Sequence, residues 1–255
     1  MAPRRRRDSA EKTRPSLFWA LGAVVVPVVG YLCRIEIEGE ENLPETGPYV
    51  LAPNHYTEID PLIVAVAVWR LGRAPRFMAK DSLFRVPVLG AILRRTGMIP
   101  VARASSSASA RQTLSAAEQL VEHGRGVIVY PEGTLTRDPG LWPMRGKTGA
   151  VRVALEGGIP VIPMAHWGVQ DVMARYGRSV SLWPPRKRVR IVIGEPVDLD
   201  AFRERNTQPA VLAQATAVVM DDIAGLLGGL RGEEPPAERW DPASHNQKET
   251  GRFES

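Results

Sequence analysis

Residues 49–71 read YVLAPNHYTEIDPLIVAVAVWRL, and this stretch decides the fold class. Tyr49–Pro53 is a short apolar run, which predicts a buried strand. Ile59–Leu71 is apolar enough for a buried helix, and Asp60-Pro61 suits its start because Asp caps helices and Pro fits the first turn. A strand, a polar turn and a helix in this order are the unit from which α/β folds are built.

The same alternation continues on both sides of this stretch. Further strands are predicted at 34–39, 76–80, 98–101, 126–130, 159–165 and 188–193, and further helices at 86–96, 107–123, 147–156 and 208–230. Pro160 and Pro163 lack the ladder donor, so we expect them at a strand start or on an edge strand. The pattern predicts one α/β domain over 34–230, with a mixed, mostly parallel sheet flanked by helices.

The residues before this domain predict an N-terminal membrane-associated helix. Residues 1–16 form a basic segment, and Leu17–Cys33 follows as seventeen residues without a charge. That length is at the lower limit for a membrane-spanning helix. We expect residues 17–33 to be a membrane anchor that spans the bilayer or lies in its interface. A buried core helix and a signal peptide are the alternatives. The basic run Arg4–Arg7 would stay cytoplasmic and attract anionic head groups.

The composition excludes several classes of protein. Hydrophobic residues make up 44% and charged residues 24%, which excludes a disordered chain and a multi-span transporter. The single cysteine, Cys33, excludes a disulfide framework and a cysteine-based zinc site. The net charge of +5 without an RNA-stacking motif favours a membrane surface or a phosphorylated substrate over nucleic acid. Arg far outnumbers Lys, which is typical of a GC-rich bacterial genome. Polar residues 231–255 predict a disordered tail.

The first group of chemical residues is NHYTEID, at the predicted junction between strand and helix. His55 and Asp60 are five residues apart with the turn between them. This spacing lets the carboxylate fold back onto an imidazole nitrogen, where it would fix the tautomer and raise the basicity of His55. A helix cap is the simpler interpretation of Asp60, and both roles can coexist.

Three further segments place polar side chains at strand ends. In GMIPVAR (97–103), Arg103 can present its guanidinium at the rim of a sheet as a bidentate phosphate ligand. In VYPEGTLTR (129–137), backbone amides of a glycine turn can bind an anion, and Arg137 adds charge. His166 ends the buried strand and could face the same site. A solvated arginine, an ordinary loop and a structural histidine are the simpler interpretations.

These segments together resemble a known family. NHYTEID, GMIPVAR, YPEGTLTR and VIPM occur in the order and rough spacing of the four blocks of the glycerophospholipid acyltransferases, which include the 1-acylglycerol-3-phosphate acyltransferases. The resemblance covers about Ile35 to Val197. The usual third block reads Glu-Gly-Thr-Arg-Ser, and here Leu135 stands in the place of the Arg. Either Arg137, two residues on, substitutes for it, or the acceptor has another polar head group.

The resemblance implies a membrane-associated O-acyltransferase that makes phosphatidic acid from 1-acylglycerol-3-phosphate at the cytoplasmic face of the cell membrane. The donor would be acyl-CoA or an acylated carrier protein, and the lysophospholipid hydroxyl would attack it directly, without a cofactor or an acyl-enzyme. His55 would be the general base, oriented by Asp60. The predicted substrate-binding residues are Asn54, Lys80, Arg103, Glu132, Gly133, Thr134, Arg137 and Lys147.

The same residues also bear on other functions. A metal-dependent hydrolase could use His55, Asp60, Glu132 and His166, but a tight ligand pattern such as His-Glu-x-x-His is absent, so no metal is predicted. The segment 140–148 has five residues between its glycines where a phosphate loop needs four. A non-catalytic membrane adaptor would keep the anchor without needing His55 and Asp60 together. Glycerol-3-phosphate, another lysolipid or a glycolipid stay open as acceptors.

Overall fold

The computed structural model describes residues 9–12, 16–101, 107–205 and 208–248. Arg4–Arg7, Arg103 and the end of the predicted tail, 249–255, lie outside the described residues. The helices are α1 Leu17–Leu32, α2 Asp60–Arg70, α3 Leu89–Arg95, α4 Ser107–Glu122, α5 Gly149–Gly157 and α6 Pro209–Arg231. The strands are β1 Cys33–Glu38, β2 Tyr49–Pro53, β3 Met78–Lys80, β4 Ile99–Val101, β5 Gly126–Ile128, β6 Val161–Trp167 and β7 Lys187–Ile193.

The strands form one five-stranded sheet and a two-stranded extension. The order of the main sheet is β1-β7-β6-β2-β5, and β3 pairs with β4. Phe77, just before β3, bridges in parallel to Ile128 of β5, so the small sheet continues the large one. β2 runs parallel to both β5 and β6, whereas β6 and β7 are antiparallel. The prediction of a mixed, mostly parallel sheet flanked by helices is confirmed.

Two hydrophobic clusters cover the two faces of the sheet. Helices α4, α5 and α6 pack on one face, where Val50 points, and α1 and α2 pack on the other, where Leu51 points. Every residue of β2 is therefore buried. Burial on both faces explains why this strand reads as a continuous apolar run rather than an alternating one.

The predicted N-terminal helix forms as α1 and lies along the domain. Phe18 and Val29 are buried, and a Cβ at Gly22 would contact the Trp69 ring of α2 at 3.5 Å. The outer face is open, with Val24 65% and Val28 53% exposed. Among the described residues, the helix that is long and apolar enough to cross a membrane is α6, and 44% of that stretch is buried inside the protein. The shorter α1 has 16 residues.

The expectation for the two prolines is met at Pro160, which lies just before the start of β6, but not at Pro163, because β6 lies between β7 and β2 and is not an edge strand. Pro160 precedes β6, but Pro163 stands inside it. The Gly194 N–H donates to the Pro163 carbonyl at 2.9 Å, and Pro163 cannot donate in return. The β6–β7 ladder begins at the next residue, Met164. Pro163, which has no N–H to donate, therefore stands just outside the paired residues of this ladder.

The predicted disordered tail differs from the structure over residues 231–248. This segment folds back over α6 and the loop before α5. The Arg145 N–H donates to the Trp240 carbonyl at 3.1 Å, and Arg239 donates to the Ala217 carbonyl at 2.9 Å. These contacts are with residues distant in sequence, so the polar composition of the tail alone does not indicate them.

Candidate active site

The candidate residues gather at the carboxyl edge of the parallel strands. His55 follows β2, the segment 130–137 follows β5, and Lys80 ends β3. Because these strands are parallel, the segments that leave them meet at one edge of the sheet, which is the common place for ligand sites in α/β folds.

The His55–Asp60 pair has the geometry that its spacing predicts. His55 Nδ1 lies 3.0 Å from Asp60 Oδ2, and the histidine side chain is 15% exposed whereas the aspartate is fully buried. Asp60 Oδ2 also accepts the N–H groups of Tyr56 and Thr57 at 2.7 and 2.8 Å, and the Thr57 hydroxyl donates to Oδ1. Within the described residues, His55 Nε2 makes no hydrogen bond. An Nδ1–H held by the carboxylate leaves Nε2 as the basic nitrogen.

The charge state of Asp60 supports this tautomer. Burial alone would raise the pKa of the Asp60 carboxyl. The neighbouring imidazoles of His166 and His55, together with the Thr57 hydroxyl, outweigh burial and hold the pKa below its ordinary value. Asp60 therefore stays ionised at neutral pH and can orient His55.

Tyr130 is a site residue that sequence reasoning missed. Its ring stacks on the His55 ring with centroids 4.0 Å apart, and its other neighbour is Phe77 at 6.3 Å. Its buried hydroxyl forms no hydrogen bond within the described part of the chain, and burial raises its pKa well above the ordinary value. Tyr130 therefore acts as a neutral surface against which the imidazole is held. Its place at the end of the predicted strand 126–130 was the available signal.

Glu132 connects the two loops of the site. Its carboxyl oxygens accept the N–H of His55 at 3.0 Å and the N–H of Met144 at 3.1 Å. The Thr136 N–H donates to the His55 carbonyl at 2.7 Å, so the loop after β5 holds the His55 backbone from both sides. Burial raises the pKa of Glu132 to about 8, although these hydrogen bonds partly oppose the shift, and the charge of Asp60 adds to it.

Asn54 and His166 form a buried bridge between β2 and β6. The Asn54 side chain donates to the His166 carbonyl at 3.2 Å and accepts the His166 N–H at 2.9 Å. The His166 ring contacts the Asn54 carbonyl and the Tyr56 hydroxyl, at 3.0 and 3.3 Å. Burial lowers the pKa of His166. Because both ends of the Asn54 amide are engaged inside the protein, the geometry favours a positioning role for this predicted substrate contact.

Two cationic side chains, Lys147 and Arg137, lie near the turn that carries the third sequence block, and they differ in exposure. Gly133 is exposed with φ of 68°, and a Cβ there would lie 3.1 Å from Cδ of Lys147. Arg137 is buried, and its Nη1 donates to the Tyr176 hydroxyl at 2.9 Å. Leu135 is also buried. Lys147 thus lies beside the open turn, whereas Arg137 lies behind it.

The remaining predicted residues are placed less closely. Thr134 is half-buried on the same turn, and Lys80 is exposed at the carboxyl end of β3. Arg103 falls on the undescribed residues after β4. The sequence also missed Arg175, which donates to the Thr136 and Asp138 carbonyls at 2.9 and 2.6 Å and fixes the end of the turn. In the described chain, no group of three or more His, Cys, Asp and Glu residues is arranged to hold a metal ion.

Comparisons with known proteins agree with this geometry. The family model described as Acyltransferase matches residues 34–167. The 1-acyl-sn-glycerol-3-phosphate acyltransferase BAT2, chloroplastic, of Brassica napus is 29% identical over 64% of this chain. This match covers 45% of the relative, so the chain spans less than half of its length. The 1-acyl-sn-glycerol-3-phosphate acyltransferase of Bacillus subtilis (strain 168) is 26% identical over 72% of this chain and 84% of its own.

A solved structure supports the fold. The crystal structure of the 1-acyl-sn-glycerophosphate (LPA) acyltransferase, PlsC, from Thermotoga maritima is similar with a TM-score of 0.58, over 88% of this chain and 81% of that one. At 21% identity, this likeness concerns the fold alone. The family match spans more than half of the chain and contains all four sequence blocks. This chain therefore belongs to the Acyltransferase family, among the glycerophospholipid acyltransferases.

Proposed function

We propose that this chain transfers a fatty acyl group from an acyl thioester to the free hydroxyl of 1-acylglycerol-3-phosphate, giving phosphatidic acid. The observation that carries the proposal is the His55–Asp60 pair, in which a buried carboxylate holds Nδ1 at 3.0 Å and leaves Nε2 at the partly exposed side of the ring. The named relatives support the choice of acceptor.

The reaction follows from this arrangement. His55 Nε2 takes the proton of the acceptor hydroxyl while the hydroxyl oxygen attacks the thioester carbonyl. The tetrahedral intermediate then collapses, and the departing thiolate takes the proton back from the imidazolium. Asp60 stabilises the imidazolium between the two steps. The N–H groups of Thr134 and Leu135, which form no hydrogen bond within the described residues, are candidates for stabilising the oxyanion.

Direct transfer is favoured over an acyl-enzyme by the state of the single cysteine. Cys33 is buried at the start of β1, and its thiol donates to the Val29 carbonyl at 3.3 Å. Burial raises the pKa of this thiol to about 11, so the nucleophilic thiolate is scarce at neutral pH.

The acceptor's phosphate has several candidate ligands. Lys147 beside Gly133 is the exposed one on the turn, and we propose that Lys80, Arg103 and Arg137 complete the cationic surroundings. The burial of Leu135, where the family usually has an arginine, favours one second candidate. In that case the same chemistry would serve an acceptor with another head group, such as glycerol-3-phosphate, another lysolipid or a glycolipid.

We further propose that α1 associates with the cytoplasmic face of the cell membrane by lying in the interface. At 16 residues the helix is about 24 Å long, short of the roughly 30 Å hydrocarbon core, and it is packed along α2. Its open face carries valines, which suits contact with lipid.

The test follows thiol release from acyl-CoA by the full chain in detergent, with lysophosphatidate as acceptor. We expect acceptor-dependent release that falls about 10²–10⁴-fold in His55→Ala. The matched control is His245→Ala, an exposed histidine of the C-terminal segment. Thiol release that is equal in the wild type and in His55→Ala would contradict the mechanism. Release only with another hydroxyl acceptor would retain the mechanism, and Leu135 would then account for the different head-group preference.

A further inference from the structure

A cavity of about 580 Å³ opens at the edge of the sheet opposite His55. Its lining includes Gly47, Arg76, Gly97 and Gly124, which precede β2, β3, β4 and β5. Because these strands are parallel, the cavity lies at their amino ends, whereas the candidate active site lies at their carboxyl ends. A ligand in this cavity would therefore be separate from the acyl acceptor at His55.

The cavity carries a surplus of positive charge. Its lining includes five arginines, Arg73, Arg76, Arg94, Arg95 and Arg125. Among the described lining residues, the single carboxylate is Glu11. Glu11 lies in a short 3-10 turn and forms ion pairs with Arg73 and Arg76. The site thus already holds one carboxylate, supplied by its own chain, against several guanidinium groups.

Arg73 is occupied by structural bonds. Its Nη atoms donate to the carbonyls of Pro44, Gly47 and Gly124 at 2.6, 2.8 and 3.2 Å, and its Nε donates to Glu11 at 2.5 Å. All of its donating nitrogens have partners within the protein. Arg73 therefore forms the floor of the cavity and is not the group that awaits a ligand.

Arg76 has a different environment. It is 7% exposed, and its buried Nε forms no hydrogen bond within the described residues. Burial and the like charge of Arg125 lower its pKa, although Glu11 opposes the shift. The unpartnered Nε–H of Arg76 and the like charge of Arg125 beside it both cost free energy in the folded protein. An anion placed between Arg76 and Arg125 would relieve both costs.

Arg95 and Arg125 complete the surroundings. Neither forms an ion pair with the described acidic residues, and Arg95 is exposed at the end of α3. Arginine forks match the oxygen geometry of phosphate, and the cavity volume is in the range of small-ligand sites. We propose that this cavity binds a phosphate group, carried either by an anionic lipid head group or by a small soluble phosphate.

The position of the cavity makes both sources accessible. Ser16 and Phe18, at the start of α1, contribute to its lining. If α1 lies in the membrane interface, as the proposed function has it, lipid head groups would reach the cavity. The cavity also opens to solvent, so a soluble phosphate needs no membrane.

The first measurement titrates inorganic phosphate into the full chain by calorimetry, in a neutral detergent at low ionic strength. We expect binding that weakens by about tenfold or more in the double variant Arg95→Gln, Arg125→Gln, because two charge-assisted contacts are lost. The matched control, Arg178→Gln with Arg203→Gln, removes two positive charges outside the cavity and should bind as the wild type does. Lys147→Gln, which removes the exposed candidate ligand for the acceptor's phosphate, should also leave binding at the cavity unchanged, and this separates the cavity from the proposed active site.

Glu11→Gln tests the internal carboxylate. Its charge repels a phosphate whether the ligand displaces it or binds alongside, so the variant should bind inorganic phosphate several-fold more tightly. Unchanged or weaker binding in Glu11→Gln would count against the proposal.

The second measurement compares flotation with vesicles of phosphatidylcholine alone and of phosphatidylcholine with phosphatidate. Binding that needs phosphatidate and is lost in the cavity variant but not in its control assigns the site to a lipid head group. Calorimetric binding with the same pattern of loss, together with flotation that does not depend on phosphatidate, assigns it to a soluble phosphate. Equal losses in the cavity variant and its control, or no binding in either assay, would overturn the proposal.

Discussion

At the scale of residues, the two buried carboxyl groups of the candidate active site differ in charge at neutral pH, where Asp60 is ionised and Glu132 is mostly neutral. Asp60 accepts three hydrogen bonds besides the one from His55, and its pKa is below the ordinary value. Burial raises the pKa of Glu132 to about 8. Carboxyls with acidities separated in this way usually have different roles. Here Asp60 supplies a charge, and Glu132 holds two backbone segments together.

The raised pKa of Glu132 predicts how stability changes with pH. The folded pKa of about 8 lies above the ordinary 4.5 of an unfolded chain. The stability that the neutral carboxyl provides is therefore complete below pH 4.5 and is lost as pH rises towards 8. Between pH 5.5 and 8, we expect the wild type to lose about 3 kcal/mol of unfolding free energy relative to Glu132→Gln. Urea unfolding at both pH values measures the difference.

The glutamine variant also has a pH-independent cost. Its amide NH₂ would face a backbone N–H, either that of His55 or that of Met144, where the carboxyl oxygen now accepts. This mismatch lowers stability by about 1–3 kcal/mol at every pH and does not alter the comparison. Parallel stability profiles for the wild type and the variant would show that Glu132 is ionised throughout this range.

At the scale of elements, the close contact between the Tyr49 ring of β2 and Gly126 of β5 gives a second prediction. A Cβ at Gly126 would lie 2.1 Å from the Tyr49 ring, and Tyr49 itself is buried. Gly126→Ala should therefore destabilise the protein by roughly 1–3 kcal/mol or more, because the ring has no free space into which it can move. Thermal or urea unfolding gives the value.

The matched control is Gly229→Ala in α6. Gly229 is exposed, and nothing lies within 4 Å of a Cβ built there. The same substitution should raise stability by about 0.5–1 kcal/mol through helix propensity. Equal effects at the two glycines would mean that the Tyr49 contact does not limit the packing of these strands.

The elements themselves were largely predictable from the sequence, because their signals are local. The strand Tyr49–Pro53 was predicted with the observed bounds, and α2 differs by one residue at each end from the predicted Ile59–Leu71. Apolar runs and flanking turn residues determine such elements. The central place of β6 was not predictable in the same way. It depends on the pairing of Pro163 with Gly194, which only the assembled sheet defines.

In the candidate site too, contacts between residues close in sequence were predictable, and contacts between distant residues were not. The His55–Asp60 contact was predictable because five residues and one turn determine it. The surroundings of Arg137 depend on Tyr176, 39 residues away, and the His55–Tyr130 stack joins the ends of two separate strands. Neither contact has a signal in the local sequence.

At the scale of the whole molecule, the open face of α1 continues into a neighbouring loop. The Arg186 N–H donates to the Tyr31 carbonyl at 2.8 Å, which joins the loop after β6 to the end of this helix. Trp183 on that loop is 79% exposed, and Tyr31 is 54% exposed. An exposed apolar surface of this kind beside basic residues suits the interface of an anionic membrane. The helix and the loop would then contact lipid together.

The outer valines of α1 give the prediction at this scale. Val24→Glu with Val28→Glu places two charges on the open face without touching buried residues, since both side chains are more than half exposed. If this face enters the lipid interface, the fraction of protein bound to anionic vesicles should fall about tenfold or more in a flotation assay, because two apolar contacts are lost and two repelling charges are gained.

The control places the same charges on the opposite face of the sheet. Leu114 and Val121 of α4 are 43% and 45% exposed, and α4 packs in the cluster away from α1. Leu114→Glu with Val121→Glu adds the same net charge and should keep vesicle binding within about twofold of the wild type, because helix α4 would not face the lipid. If the two double variants lose binding equally, the loss comes from net charge, and α1 does not determine how this molecule lies on a membrane.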